Sequence, residues 1–163
     1  PNDLLHDTHK DVDMLVSNLT DAKYILNATK VFPEPHRVHY HVTIENEIVP
    51  FDLRYIGDDY YDINFEKDMM RTRILNPGGF YTPNIHFHFY SLLYHAYLHK
   101  NGVKDKYKIR LSELSDELTP SYFDDENNIA GIIGKFLKIN DYKLVQPEPS
   151  VVYNIKAVNL INE

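Results

Sequence analysis

Between residues 36 and 57 apolar and polar side chains alternate with a period of two, and this pattern constrains the fold more tightly than any other in the chain. Val38, Tyr40, Val42 and Ile44 alternate with His39, His41 and Thr43. Beyond the turn Glu45-Asn46-Glu47, Val49, Phe51, Leu53 and Tyr55 alternate with Pro50, Asp52, Arg54 and Ile56. Successive strand side chains point to opposite faces, so residues 36–44 and 48–57 are predicted to form a β-hairpin with one packed and one wet face. Pro50 has no N–H to give, which places an edge or a bulge at that point.

The same period appears earlier. Val12, Met14 and Val16 take one face of a strand, and Asp11, Asp13 and Leu15 take the other. Asn18 with Asp21 three residues on is a helix-start signal, and a helix to about Lys30 is predicted to bury Ala22, Ile25, Leu26 and Thr29. After Gly57-Asp58-Asp59 the pattern turns helical to about Leu75, then breaks at Asn76-Pro77-Gly78-Gly79. Helices are predicted over residues 84–100, aromatic on nearly every side and therefore central, and over 104–117 and 126–138. Residues 142–145 and 151–158 read as β-like or extended. The order predicts an α+β fold, a small mixed sheet followed by a helical C-terminal part. Residues 1–82 would form the α/β core and 83–163 the helical part of one compact unit, a fair size for one domain at 163 residues.

Composition removes several classes. With no cysteine, disulfides and thiolate metal sites are impossible. No apolar run has the length of a membrane span and no signal-peptide order is visible, so a cytoplasmic protein is expected. A chain opening at Pro1 without methionine reads as a fragment or a processed product. Seventeen basic against twenty-four acidic side chains leave a net charge of −7, which argues against polymeric nucleic acid as the partner.

The chemistry concentrates in three carboxylates. Asp11 and Asp13 share a strand face about 7 Å apart, close enough to serve a common pair of metal ions. Asp52 lies between core-facing Phe51 and Leu53, so it points to the opposite face, in a position where β-propensity disfavours Asp. Three carboxylates on one face repel one another unless a cation neutralises them, which argues for Mg²⁺. Arg54 shares the face of Asp52 and is placed to pair with a carboxylate or clamp a phosphate. Lys67 and Arg71, four residues apart, line one side of the following helix.

Nine histidines offer further candidates. His39 and His41 lie on the wet strand face, while His88, Ser91, His95 and His99 form one stripe along the central helix. That stripe is either a buried seam bonded to tyrosines or a wall facing the carboxylates. Tyr60-Tyr61 packs in the core or stacks on a base or sugar.

Asp11-Val12-Asp13-Met14-Leu15-Val16, a helix, a hairpin and then Pro50-Phe51-Asp52-Leu53-Arg54 resemble the nucleotidyltransferase (polymerase-β-like) superfamily over about residues 10–56. Phe89-Tyr90-Ser91-Leu92-Leu93-Tyr94-His95 is similar to uncharacterised nucleotidyltransferase-like proteins of large DNA viruses and bacteria, which for a viral chain would mean the host cytoplasm. The resemblance implies that Asp11, Asp13 and Asp52 hold two Mg²⁺ or Mn²⁺ ions, with Asp52 helping to deprotonate an acceptor hydroxyl. Arg54, Lys67 and Arg71 would meet the phosphates of an NTP, and the acceptor would be a small molecule or sugar. One departure stands out: the Gly-Ser or Gly-Gly turn that precedes the acidic pair in that superfamily has no counterpart in Leu4–Lys10. Two readings therefore accompany the transferase. One is a catalytically silent binding or scaffolding module of a larger glycan-processing protein. The other is a metal-dependent glycosyltransferase using a nucleotide-sugar, although in that class the apolar strand precedes the Asp-x-Asp motif.

Overall fold

The structure is a computed structural model and describes residues 11–118 and 128–162. It is an α+β fold: a four-stranded mixed sheet and a two-stranded one, with six helices among the described residues. The elements are β1 (Val12–Val16), α1 (Leu19–Leu26), β2 (Thr29–Lys30), β3 (His39–Ile44), β4 (Glu47–Tyr55) and α2 (Ile63–Arg71). They continue as β5 (Ile74–Leu75), β6 (Tyr81–Thr82), α3 (Ile85–Leu98), α4 (Asp105–Glu117), α5 (Ile129–Asn140) and α6 (Ile155–Asn162). No helix among the described residues is long and apolar enough to cross a membrane.

The main sheet runs β1-β4-β3-β2, with β1 parallel to β4 and the other pairs antiparallel. Glu45 and Asn46, at φ 50° and 69°, turn β3 tightly into β4, the left-handed pair of a type I′ hairpin. The N–H of Leu53 donates to Val38 (2.8 Å), so by the period of two the nitrogen of Pro50 points away from β3. Pairing with β1 begins only at Phe51, so Pro50 lies where β4 has a single neighbour and no bond is lost.

Tyr40, Val42, Phe51 and Leu53 form the packed face, covered by Val12, Met14, Leu19, Leu26 and Ala28. The helix predicted to reach Lys30 ends at Leu26, where Asn27 caps it at φ 48° and the chain adds β2. Its predicted burial is also corrected: Ile25 is 78% exposed, because Leu19 and Leu26 lie over the sheet instead. Asn18 caps the start as anticipated, accepting from the N–H groups of Thr20 and Asp21.

A second core belongs to the helices. Phe65, Phe89, Leu93, Leu98, Leu111 and Ile133 are almost fully enclosed, and Tyr90 stacks on Phe136 at 3.7 Å. The helical segment predicted up to Leu75 stops at Arg71, and β5 and β6 close a small hairpin around the Asn76-Pro77-Gly78-Gly79 turn. Helix α4 matches its prediction within a residue, as does the end of α5 within two; residues 126 and 127 of the predicted start lie outside the described residues.

The extended reading of 151–158 is overturned: α6 occupies Ile155–Asn162. The N–H of Ala157 donates to the Asn154 side chain (3.3 Å), and Ala157, Val158 and Ile161 pack on the helical core at helical spacing. Residues 142–145 are extended but pair with no strand. The N–H of Tyr142 donates to the Leu137 carbonyl (2.9 Å), and two others are met by side chains, Lys143 donating to Asp62 Oδ2 (3.0 Å) and Val145 to the Tyr94 hydroxyl (3.4 Å).

Candidate functional site

A cavity of about 730 Å³ separates the polar face of the sheet from α3 and α4. Its sheet wall carries Asp11, Asp13, His39, Asp52 and Arg54; its helical wall carries His88, Ser91, His95, His99, Lys100, Lys106 and Tyr107. Its size is that of a small-molecule site.

The carboxylates meet because of register. Asp13 is the direct partner of Asp52 across the parallel β1–β4 pair, so both project from one face of strands roughly 4.8 Å apart. His39 is the partner of Asp52 on the other side, with Nε2 3.8 Å from Oδ1. Burial raises the pKa of Asp52, His39 opposes that rise, and the charge of Asp11 adds to it. Asp52 therefore holds its negative charge at a cost that a cation would relieve.

Oxygen donors of this kind suit a hard divalent cation. Among the described residues, however, no three His, Asp or Glu side chains converge as a ready-made metal site. Mg²⁺ is commonly held by one or two carboxylates together with substrate phosphates rather than by a protein cage. The Asp13–Asp52 pair fits that mode of binding.

Arg54 is firmly held. Its Nη1 donates to Asp58 Oδ2 (3.3 Å) and its guanidinium lies 3.8 Å from the centre of the Tyr60 ring. It lines the cavity from that fixed position. Lys67 and Arg71 do not line it: Lys67 is exposed, and Arg71 pairs with Asp68 (3.0 Å) on the surface.

The stripe on α3 is both seam and wall. Tyr60 Oη lies 2.5 Å from His95 Nδ1, and Tyr107 Oη lies 3.3 Å from His95 Nε2. Burial lowers the pKa of His95 to about 4 and that of His99 to about 3, with Lys100 and Arg54 pushing the same way, so both rings are neutral near pH 7. Tyr61 is absorbed by the core, its hydroxyl donating to the Ser91 carbonyl (3.2 Å).

Glu66 carries no recognisable motif, yet it is wholly enclosed and lines the cavity. Its carboxyl accepts from the N–H groups of Gly57 (2.6 Å) and Tyr61 (3.3 Å), pinning the loop that carries Tyr60. Burial, helped by the nearby Asp58, pushes its pKa up to about 8 against the N–H bonds from Gly57 and Tyr61, which lower it. Glu66, Tyr107 and Lys106 join the site through the packing of α2 and α4, and no spacing within their own segments signals it. Comparison with known protein families, curated proteins and solved structures finds no match to this chain.

Proposed function

We propose that this chain is a Mg²⁺-dependent nucleotidyltransferase that moves a nucleoside monophosphate from an NTP to a hydroxyl of a small molecule or sugar. One observation carries the reading. Asp13 and Asp52, in register on parallel strands, face a cavity whose walls also bear Arg54, Lys100 and Lys106. Paired carboxylates beside cations suit a metal–polyphosphate, whose ion needs the first and whose remaining charge needs the second.

Asp13 and Asp52 would hold the ion, with Asp11 beside them, and the bound ion would supply phosphate neutralisation and a lowered hydroxyl pKa. Arg54 and the two lysines bind the phosphate chain. Asp52, at the same face, accepts the proton of the acceptor hydroxyl. That oxygen bonds to the α-phosphorus as the α–β phosphate bond breaks, and pyrophosphate leaves with its electron pair.

A second reading is a silent binding or scaffolding module. It is favoured by the absence of glycine and serine from Leu4–Lys10, a stretch outside the described residues. Calorimetric titration of the four NTPs with Mg²⁺ into wild type and Asp13→Asn separates the two. Mg²⁺-dependent binding that Asp13→Asn abolishes supports the transferase and names its donor. No binding of any NTP by a folded wild type overturns it in favour of the silent module.

A further inference from the structure

We propose that the α3–α4 wall is a distinct subsite for an uncharged polyhydroxylated acceptor, a pyranose or polyol, contacted by the Tyr107 hydroxyl and the His99 imidazole with His95 as positioning residue. The substrate class rests on the transferase reading; the subsite itself stands on the geometry of this wall.

The first argument is the proton arrangement around His95. An O–H donor makes shorter bonds than an N–H donor. The 2.5 Å contact then has Tyr60 donating to Nδ1, and the 3.3 Å contact has Nε2–H donating to the Tyr107 oxygen. A neutral imidazole carries one proton, so the two contacts are mutually consistent. Tyr107 receives a bond from His95, and its own O–H is left to donate into the cavity that it lines.

The second argument is His99. It is 2% exposed, lines the same cavity, and neither ring nitrogen has a hydrogen-bond partner. A neutral imidazole without partners leaves one donor and one acceptor unmet, a costly arrangement that a ligand hydroxyl, itself donor and acceptor, would satisfy. The Tyr60 ring lies beside His99, with centres 4.2 Å apart. The rings of His99 and Tyr107 lie 6.2 Å and 5.6 Å from that of His95, a spread that several hydroxyls of one sugar ring would span.

The third argument is charge. Tyr107 feels the field of Asp13 and Asp11, which repels an anionic acceptor. His95 and His99 feel that of Lys100 and Arg54, which repels a cationic one. An uncharged molecule avoids both penalties.

The test is NMR of histidine and tyrosine side chains in the full chain. Glucose, galactose, N-acetylglucosamine, myo-inositol and glycerol are titrated separately, each with and without Mg²⁺ and a non-hydrolysable NTP. The expected result is a saturable shift of the His99 and Tyr107 signals with at least one probe. That probe should bind roughly three- to tenfold more weakly to Tyr107→Phe, which keeps the ring and loses one neutral hydrogen bond. Its binding should survive in Asp13→Asn. Silence from all five probes overturns the subsite, as does equal binding by Tyr107→Phe or tighter binding of glucose 6-phosphate than glucose. A chain that binds nucleotide but no probe overturns only the subsite. One that binds a probe but no nucleotide overturns only the transferase.

Discussion

Asp13 and Asp52 are register partners on neighbouring parallel strands, and their shared face opens onto a cavity rather than a core. Two carboxylates so placed repel each other, and the sheet holds them there because Val12, Met14, Phe51 and Leu53 must occupy the opposite face. Hydrophobic register thus fixes the site: a slip of one residue would bury the acids and expose the core. The arrangement makes fold and site inseparable over β1 and β4, and it gives the carboxylates opposite effects on stability and on chemistry.

Asp52→Asn tests that opposition. Burial and Asp11 raise the pKa of Asp52, so its ionisation opposes folding: full stability lies below the unfolded carboxylate pKa and is lost as pH rises through the folded one. Without metal, Asp52→Asn should therefore be more stable than wild type near neutral pH, by up to about 1 kcal/mol. Transfer activity should fall by a factor on the order of a hundred or more, the usual loss on removing a general base. Thermal unfolding with and without Mg²⁺, alongside a pyrophosphate-release assay, reads both effects. A destabilised Asp52→Asn would show that the carboxylate is a structural bond and not a poised charge.

The cations divide by position. Lys67 and Arg71 lie outside the cavity, so the double substitution to Ala should change Mg²⁺-dependent NTP affinity by less than about twofold. Arg54 is fixed by Asp58 and Tyr60 with its charge on the cavity wall, and Arg54→Ala should weaken the same binding by roughly ten- to a hundredfold. Arg54→Lys keeps the charge without the planar fork and should fall between them. Calorimetry on the three variants orders them, and a loss in Lys67→Ala/Arg71→Ala equal to that in Arg54→Ala would remove the phosphate role from this wall.

How much of this was legible follows from the periods involved. A strand has a strict period of two, so the facing of Asp13, Asp52 and Arg54 could be read directly from their apolar neighbours. Helix burial is less determined: Ile25 and Leu26 are adjacent and equally apolar, and only the packing of α1 on the sheet decides that Leu26 meets it. The α3 stripe was visible at helical spacing, but its opposite wall was not, because nothing local tells that Tyr60 and Tyr107 converge on His95 from 35 and 12 residues away. The same holds for Glu66, an ordinary helix acid whose burial depends on the loop folding back over it. Residues 151–158 read as β-like or extended, while the Asn154 side chain starts a helix.

Tyr142 joins two kinds of stabilisation that substitution can separate. Its ring stacks on Phe65 with centres 5.2 Å apart, and its hydroxyl donates to Asp68 Oδ2 (2.8 Å). The pKa of Asp68 is lowered by that bond first and by Arg71 next, so Asp68 adds stability that is lost as pH falls through the carboxylate range. Tyr142→Phe keeps the ring and should cost about 1 kcal/mol, while Tyr142→Ala should cost roughly 3–5 kcal/mol by opening a cavity in the aromatic core. Urea unfolding of both variants decides which effect dominates. Equal losses would mean that the hydroxyl, not the ring, holds the 142–145 segment in place.

Stability near neutral pH is set by groups pulling in opposite directions. His95 and His99 have folded pKa values of about 4 and about 3, below the ordinary 6.5. Their contribution is complete above about pH 6.5 and is lost as pH falls towards those values, because the unfolded chain takes up protons that the folded chain refuses. Glu66 works the other way: with a folded pKa of about 8 against 4.5, its contribution is complete below about pH 4.5 and is lost as pH rises through 8. These three groups together favour a maximum near pH 6.5. Glu66→Gln removes the ionisation and keeps one carbonyl to accept from Gly57, but its amide group cannot accept from Tyr61, so one loop bond is lost at every pH. It should hold its stability from about pH 6.5 to 9, where wild type declines, and at lower pH it should lie below wild type by roughly the one lost bond, about 1 kcal/mol. Both should lose stability below about pH 6.5, because the histidines are untouched. Urea midpoints across pH 4 to 9 test each limb separately. Parallel curves above pH 7 would show that Glu66 is already ionised in the folded protein, and the loop carrying Tyr60 would then be held by a carboxylate.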